Sequence, residues 1–138
     1  MYCAKQDMID RYGAEELIQL TDRAGTGVID DAVLNQAIAD SGAEIDGYLA
    51  TRYELPLTVV PPVLVRIACE IARYHLYDDA ATDTVKDRYD NSVRFLRSLA
   101  KGDVSLVQQT GAAAETSESA GVAEFDTGRA VFNNGGGF

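Results

Sequence analysis

The sequence predicts an all-α protein, a small bundle of four to five helices followed by an extended C-terminal tail. Three observations carry this. Apolar residues recur at helical spacing in three long stretches, helix start and stop residues bracket those stretches, and the composition has no Trp while being rich in Ala, which suits closely packed helices. At 138 residues with 46% apolar content, the chain is long enough for one domain with a modest core. Residues 1–107 are read as that helical domain and residues 108–138 as the tail.

Lys5 to Tyr12 forms a short helix stopped by Gly13, and Ala14 to Leu20 adds a turn or two with Leu17, Ile18 and Leu20 as its apolar contacts. Isolated helices below about 12–15 residues are marginal in water, so both must pack on the longer helices downstream. Asp22 to Gly27 is a polar, glycine-rich loop.

The first long helix starts where Asp30 can cap it, with Asp31 in its first turn and Ile29 and Leu34 at the staple positions. Leu34, Ile38, Ser41, Ile45, Tyr48 and Arg52 draw one stripe, widened by Leu49. Gly42 and Gly47 interrupt it at a cost of about 1 kcal/mol each relative to Ala, marking either a close helix crossing or a kink.

Leu55 to Pro62 is too rich in proline to be helical and reads as an ordered apolar elbow. Pro62 opens the next helix, whose Leu64, Ile67, Ala68, Ile71 and Ala72 form a broad buried face, with Arg66 and Glu70 as an exposed pair. That helix ends by Asp78-Asp79. Thr84 and Asp87 resemble a capping box for a third long helix, striped by Val85, Tyr89, Val93, Leu96 and Ala100 and stopped by Gly102.

The formal net charge of −10 argues against a surface that grips phosphates, although an acidic wall suits a passage through which DNA slides. Cys3 and Cys69 read as two isolated, reduced thiols. No leader pattern and no membrane-length apolar run occur, so the chain is expected to be soluble and unexported.

Chemistry is sparse. His75 is the only histidine, and no nucleophile elbow, phosphate loop or dinucleotide fingerprint is present. Asp78, Asp79, Asp83, Asp87 and Asp90 cluster without the spacing of a calcium loop and read as solvated acids and helix-end partners. Arg88, Arg94 and Arg97 form a basic stripe read as a salt-bridge face. No catalytic, cofactor or metal residue is assigned, and the chain is not read as an enzyme. Tyr48, Tyr53, Tyr74, Tyr77 and Tyr89 suit cores and interfaces alike.

From Gln108 onward small and polar residues prevail, with Glu115, Glu118, Glu124 and Asp126 set against Arg129. Such a composition does not repay the entropy of ordering by itself. Its apolar anchors, Val131, Phe132 and Phe138, suggest a segment that orders on a partner.

Glu16-Leu17-Ile18-Gln19-Leu20-Thr21-Asp22-Arg23 and Ile45-Asp46-Gly47-Tyr48-Leu49, followed by Arg52-Tyr53 and Leu55-Pro56-Leu57, resemble the head-to-tail joining proteins of Mu-like phages. Ile71-Ala72-Arg73-Tyr74, Arg88-Tyr89 and Leu99-Ala100-Lys101-Gly102 extend the resemblance across most of residues 1–107. The tail matches that family's phenylalanine-ending C-terminus only loosely.

The resemblance implies a connector, or adaptor, in the virion neck, assembled in the host cytoplasm. Copies would form a homo-oligomeric ring, twelvefold by family expectation, beneath the portal protein. A downstream neck or tail-terminator protein would dock below, and DNA would pass through without sequence-specific binding. Arg129, Val131, Phe132 and Phe138 are then the portal-binding residues of the tail, and Tyr48, Arg52, Tyr53, Leu55 and Leu57 the subunit-interface candidates. The competing reading is a small acidic helical regulatory protein of the anti-repressor or antitoxin kind.

Overall fold

The computed structural model describes residues Met1–Leu106, and the expectations for residues 108–138 lie outside them. The element order is α1 (Lys5–Tyr12), α2 (Ala14–Thr21), α3 (Asp31–Leu49), α4 (Pro62–Tyr77), a 3₁₀ turn (Asp78–Ala80) and α5 (Asp83–Lys101). The fold is all-α, and the described residues contain no strand. No helix among them is long and apolar enough to cross a membrane.

α4 is the central helix, packing against both α3 and α5, which also touch each other. Its burial explains why its apolar face is broad: Leu64, Ile67, Ala68, Ile71 and Ala72 are all solvent-free, as their spacing predicts, and Cys69 and Leu76 join them. From α3 come Leu34, Ala37, Ile38, Ile45 and Leu49, and from α5 Val85, Val93, Leu96 and Leu99. On α5 the seam closes on fully buried Leu99, while the expected Ala100 is only half-buried, since the two lie about 100° apart around the helix.

The short helices α1 and α2 are held by tertiary packing, as their length requires. Met8 and Leu17 bury completely into the shared core. At the end of α2 the buried Thr21 hydroxyl donates to Leu17 O at 2.8 Å and accepts from Asp30 N at 2.9 Å, so one side chain joins the end of α2 to the start of α3. Between them the Asp22 carboxylate accepts from Thr26 N at 2.8 Å and Gly27 N at 2.6 Å. These backbone donors hold the Asp22 carboxyl below its ordinary pKa.

Asp30 caps α3 as expected, accepting from Ala32 N at 3.0 Å and Val33 N at 3.3 Å. The helix ends at Leu49, so Arg52 lies beyond it and leaves the stripe. For α5 the expected cap is displaced by two residues: Thr82, not Thr84, accepts from Val85 N at 3.3 Å. Thr84 is already helical there, and its backbone no longer has cap geometry.

Neither glycine of α3 lies at a helix crossing. A methyl carbon on Gly42 would sit 3.7 Å from the Tyr2 ring, an ordinary contact, and one on Gly47 would meet open space. Gly47→Ala is therefore expected to raise the unfolding free energy by roughly 0.5–1 kcal/mol in chemical denaturation.

Candidate functional site

The elbow begins with a tight turn after α3, in which Leu49 O accepts from Arg52 N at 3.0 Å and Tyr53 N at 2.9 Å. The chain then runs through a cis Leu55–Pro56 bond into Pro61, which precedes α4. Leu55, Leu57 and Val60 turn half-buried side chains onto the core, while Val59 stays exposed. Apolar anchoring and proline restriction together give the segment one shape, as an ordered elbow requires.

Two of the interface candidates brace the far end of α5. Arg52 directs Nη1 toward Leu99 O at 3.5 Å, and its guanidinium carbon lies 5.9 Å from the Tyr53 ring centre. Tyr53 Oη accepts from Leu106 N at 2.9 Å, which ties the last described residue to the elbow. Gly102 is favoured there by its φ of +89°, and a β-carbon on it would press at 3.0 Å on Nη1 of the exposed Arg52 side chain, which is free to shift.

Leu55 and Leu57 instead face a cavity of about 300 Å³, shared with Met1, Tyr2, Asp46, Pro56 and Val60. Tyr2 donates its phenol proton to the Asp46 carboxylate, and burial together with that carboxylate raises the Tyr2 pKa, keeping the phenol neutral. Tyr48 lies half-buried on α3 and does not line this cavity. The structure thus divides the five candidates into an α5 brace, a cavity wall and a separate helix position. Arg129, Val131, Phe132 and Phe138 lie outside the described residues.

Periodicity gave no sign that Met1, Tyr2 and Asp46 meet at the elbow, since residues 1–4 precede the first helix. A half-polar aromatic at position 2 was the available signal.

The sequence also leaves unmarked a clasp between α2 and α4. Arg73 Nε and Nη2 donate to the Glu16 carboxylate at 2.7 and 3.1 Å, and the guanidinium carbon lies 4.3 Å from the Tyr12 ring centre and 5.9 Å from that of Tyr77. Its partners are 57 residues apart, beyond any local pattern. The Arg66–Glu70 pair forms at 3.0 Å, but Glu70 is only 12% exposed because Ser92 Oγ of α5 also donates to it at 2.7 Å. The expected exposed pair thus has an exposed Arg66 and a largely covered Glu70.

His75 lies beside Glu44 of α3, Nε2 to Oε1 3.3 Å, while Tyr89 of α5 donates to Glu44 Oε2 at 2.8 Å and stacks on Tyr74 at 4.0 Å. The group is a polar knot joining three helices, with no nucleophile set against the histidine. Among the described residues no three metal-ligating side chains converge, and Asp90 pairs with Lys86 at 3.0 Å. Arg88, Arg94 and Arg97 are exposed and enter no ion pair among the described residues; Arg94 binds Asn91 at 2.7 Å instead. Nine residues set Arg88 and Arg97 about half a turn apart, so the three do not align as one stripe.

Comparison with known proteins identifies the family. A family model described as Bacteriophage Mu, Gp36 matches residues 2–124. The Mu-like prophage FluMu protein gp36 of Haemophilus influenzae is 39% identical over 106 residues, which cover 77% of this chain and 75% of that protein. Gene product J of Escherichia phage Mu is 39% identical over 117 residues, 83% of each chain. With a match that runs from α1 through α5, the chain belongs to the bacteriophage Mu Gp36 family.

Proposed function

We propose that the chain is a head-to-tail connector subunit that forms a ring beneath the portal and links the capsid to the neck or tail, leaving a channel for DNA. The observation that carries this reading is the elbow. It holds one fixed, apolar-edged shape, with exposed Val59 and an open cavity, on a body of strongly acidic composition. A ring closed by heterologous contacts needs two different complementary faces on each subunit. The elbow, with Leu55 and Leu57, supplies one face, and the first long helix, α3, with Tyr48, supplies the other. Residues 1–107 act as the folded adaptor domain, and residues 108–138 as the segment that reaches the portal through Arg129, Val131, Phe132 and Phe138.

Many weak subunit contacts act together in such a ring, so docking is firm only in the correct geometry. Purified chain mixed with portal rings of the same phage is expected to add one ring of density by electron microscopy. Bare portals after mixing would sink the reading, and tight binding to a single basic partner without ring formation would favour the regulatory alternative. Deleting residues 110–138 is expected to leave the helical circular dichroism intact while weakening portal docking about tenfold or more. Loss of the helical signal would instead show that the tail belongs to the folded domain.

A further inference from the structure

Cys3 and Cys69 stand 66 residues apart in sequence and read there as unrelated thiols, yet the fold sets their sulfur atoms 3.0 Å apart in the core. Both are buried. The encounter is held from several sides. Tyr2 is tied to Asp46 of α3, Ala4 N donates to the Asp7 carboxylate at 2.9 Å, and Cys69 sits in the middle of α4. Closing the gap by roughly 1 Å reaches the bonded S–S distance, which side-chain rotation and a small shift of the N-terminal segment can supply.

We infer that Cys3 and Cys69 are an oxidation-responsive pair, which a peroxide converts into an intramolecular disulfide fastening the N-terminal segment to α4. The two thiols share one hydrogen bond, in which either sulfur can donate. The sulfur that holds the thiolate is the nucleophile. It attacks one peroxide oxygen, the O–O bond breaks, and that cysteine becomes a sulfenic acid as hydroxide leaves. The second thiol then loses its proton and its sulfur attacks the first, displacing the hydroxyl as water. Two thiols and one hydrogen peroxide yield one disulfide and two waters.

Both sulfurs are buried, so peroxide reaches them when the N-terminal segment opens transiently. Residues 1–4 precede the first helix, Met1 is 90% exposed, and terminal segments open at low free energy. A reducing cytosol keeps both thiols, whereas an oxidising medium closes the pair. The pair is a property of the folded subunit, whatever that subunit docks to.

Reduced full-length protein treated with a small excess of hydrogen peroxide is expected to lose both titratable thiols and two hydrogen atoms of mass per chain, with no disulfide-linked dimer on a non-reducing denaturing gel. Its thermal midpoint should rise by about 10 °C or more, because the bond closes a long loop, and dithiothreitol should reverse every change. Cys3→Ala should leave Cys69 to gain oxygen, with no rise in the midpoint. Oxygen adducts on the unaltered chain without a cross-link, a disulfide-linked dimer, or two thiols that survive treatment would each overturn the inference. So would an equal rise in midpoint for Cys3→Ala.

Discussion

Ile71→Ala is expected to lower the unfolding free energy by about 3 kcal/mol, measured by urea denaturation with the slope unchanged. Ile71 is fully buried near the middle of α4, the helix that packs against both α3 and α5. Removing its outer carbons forfeits their transfer free energy and leaves a hole that two neighbouring helices cannot both relax to fill. For a domain near 100 residues such a loss lowers the thermal midpoint by roughly 12 °C or more. A loss below about 1 kcal/mol would mean that α4 is not enclosed on both sides.

Arg73→Ala is expected to cost about 2 kcal/mol by the same measurement. Fully exposed ion pairs contribute at most about 1 kcal/mol, and removing one partner of a fully buried pair costs about 3–5 kcal/mol. Arg73 and Glu16 side chains are 16% and 23% exposed, which places the pair between those limits. Geometry moves it toward the higher one, since the contact is bidentate and the guanidinium also lies on Tyr12. Arg73→Lys should recover less than half of the loss, because an ammonium keeps the charge but loses both the fork and the stacking. A double-mutant cycle with Glu16→Ala isolates the pair, and a coupling of about 1 kcal/mol or more is expected. Coupling near zero would reduce the clasp to a surface contact. The substitution should also loosen α1 and α2 more than α5, visible as faster amide exchange in Met8 and Leu17 than in Leu96.

The helices were legible because their signals are local. Spacing of Leu64, Ile67, Ala68 and Ile71 marks a buried helical face whatever lies opposite, Pro62 is pre-shaped for a first turn, and Asp30 and Gly102 act on backbone groups within a few residues. The errors arose where two local readings were nearly equivalent. Thr82 and Thr84 both precede apolar residues of α5, and only the direction of the entering chain selects Thr82. Gly42 and Gly47 announce missing side chains without saying what, if anything, occupies the space.

The candidate site was legible as a segment and not as a surface. Tyr48, Arg52, Tyr53, Leu55 and Leu57 are near in sequence, yet they separate into an α5 brace, a cavity wall and a half-buried helix position. Residue order could not divide them, because the assignments of Arg52, Tyr53, Leu55 and Leu57 depend on partners more than forty residues away: Leu99, Leu106 and the N-terminal Met1 and Tyr2.

By itself the sequence determined the all-α class, the extents of α1, α2 and α4 to within a residue or so, the start of α3, the elbow's place and the likeness to Mu-like phage proteins. Only the tertiary structure decided that Arg73 reaches Glu16, that Tyr2 closes on Asp46 and that Cys3 meets Cys69. The physical reason is range. Hydrogen bonds within a helix and the periodicity of its faces act over about four residues and are written in the order of the chain. Contacts across 44 to 66 residues exist only once the packing of several helices has selected one arrangement among many with the same local pattern.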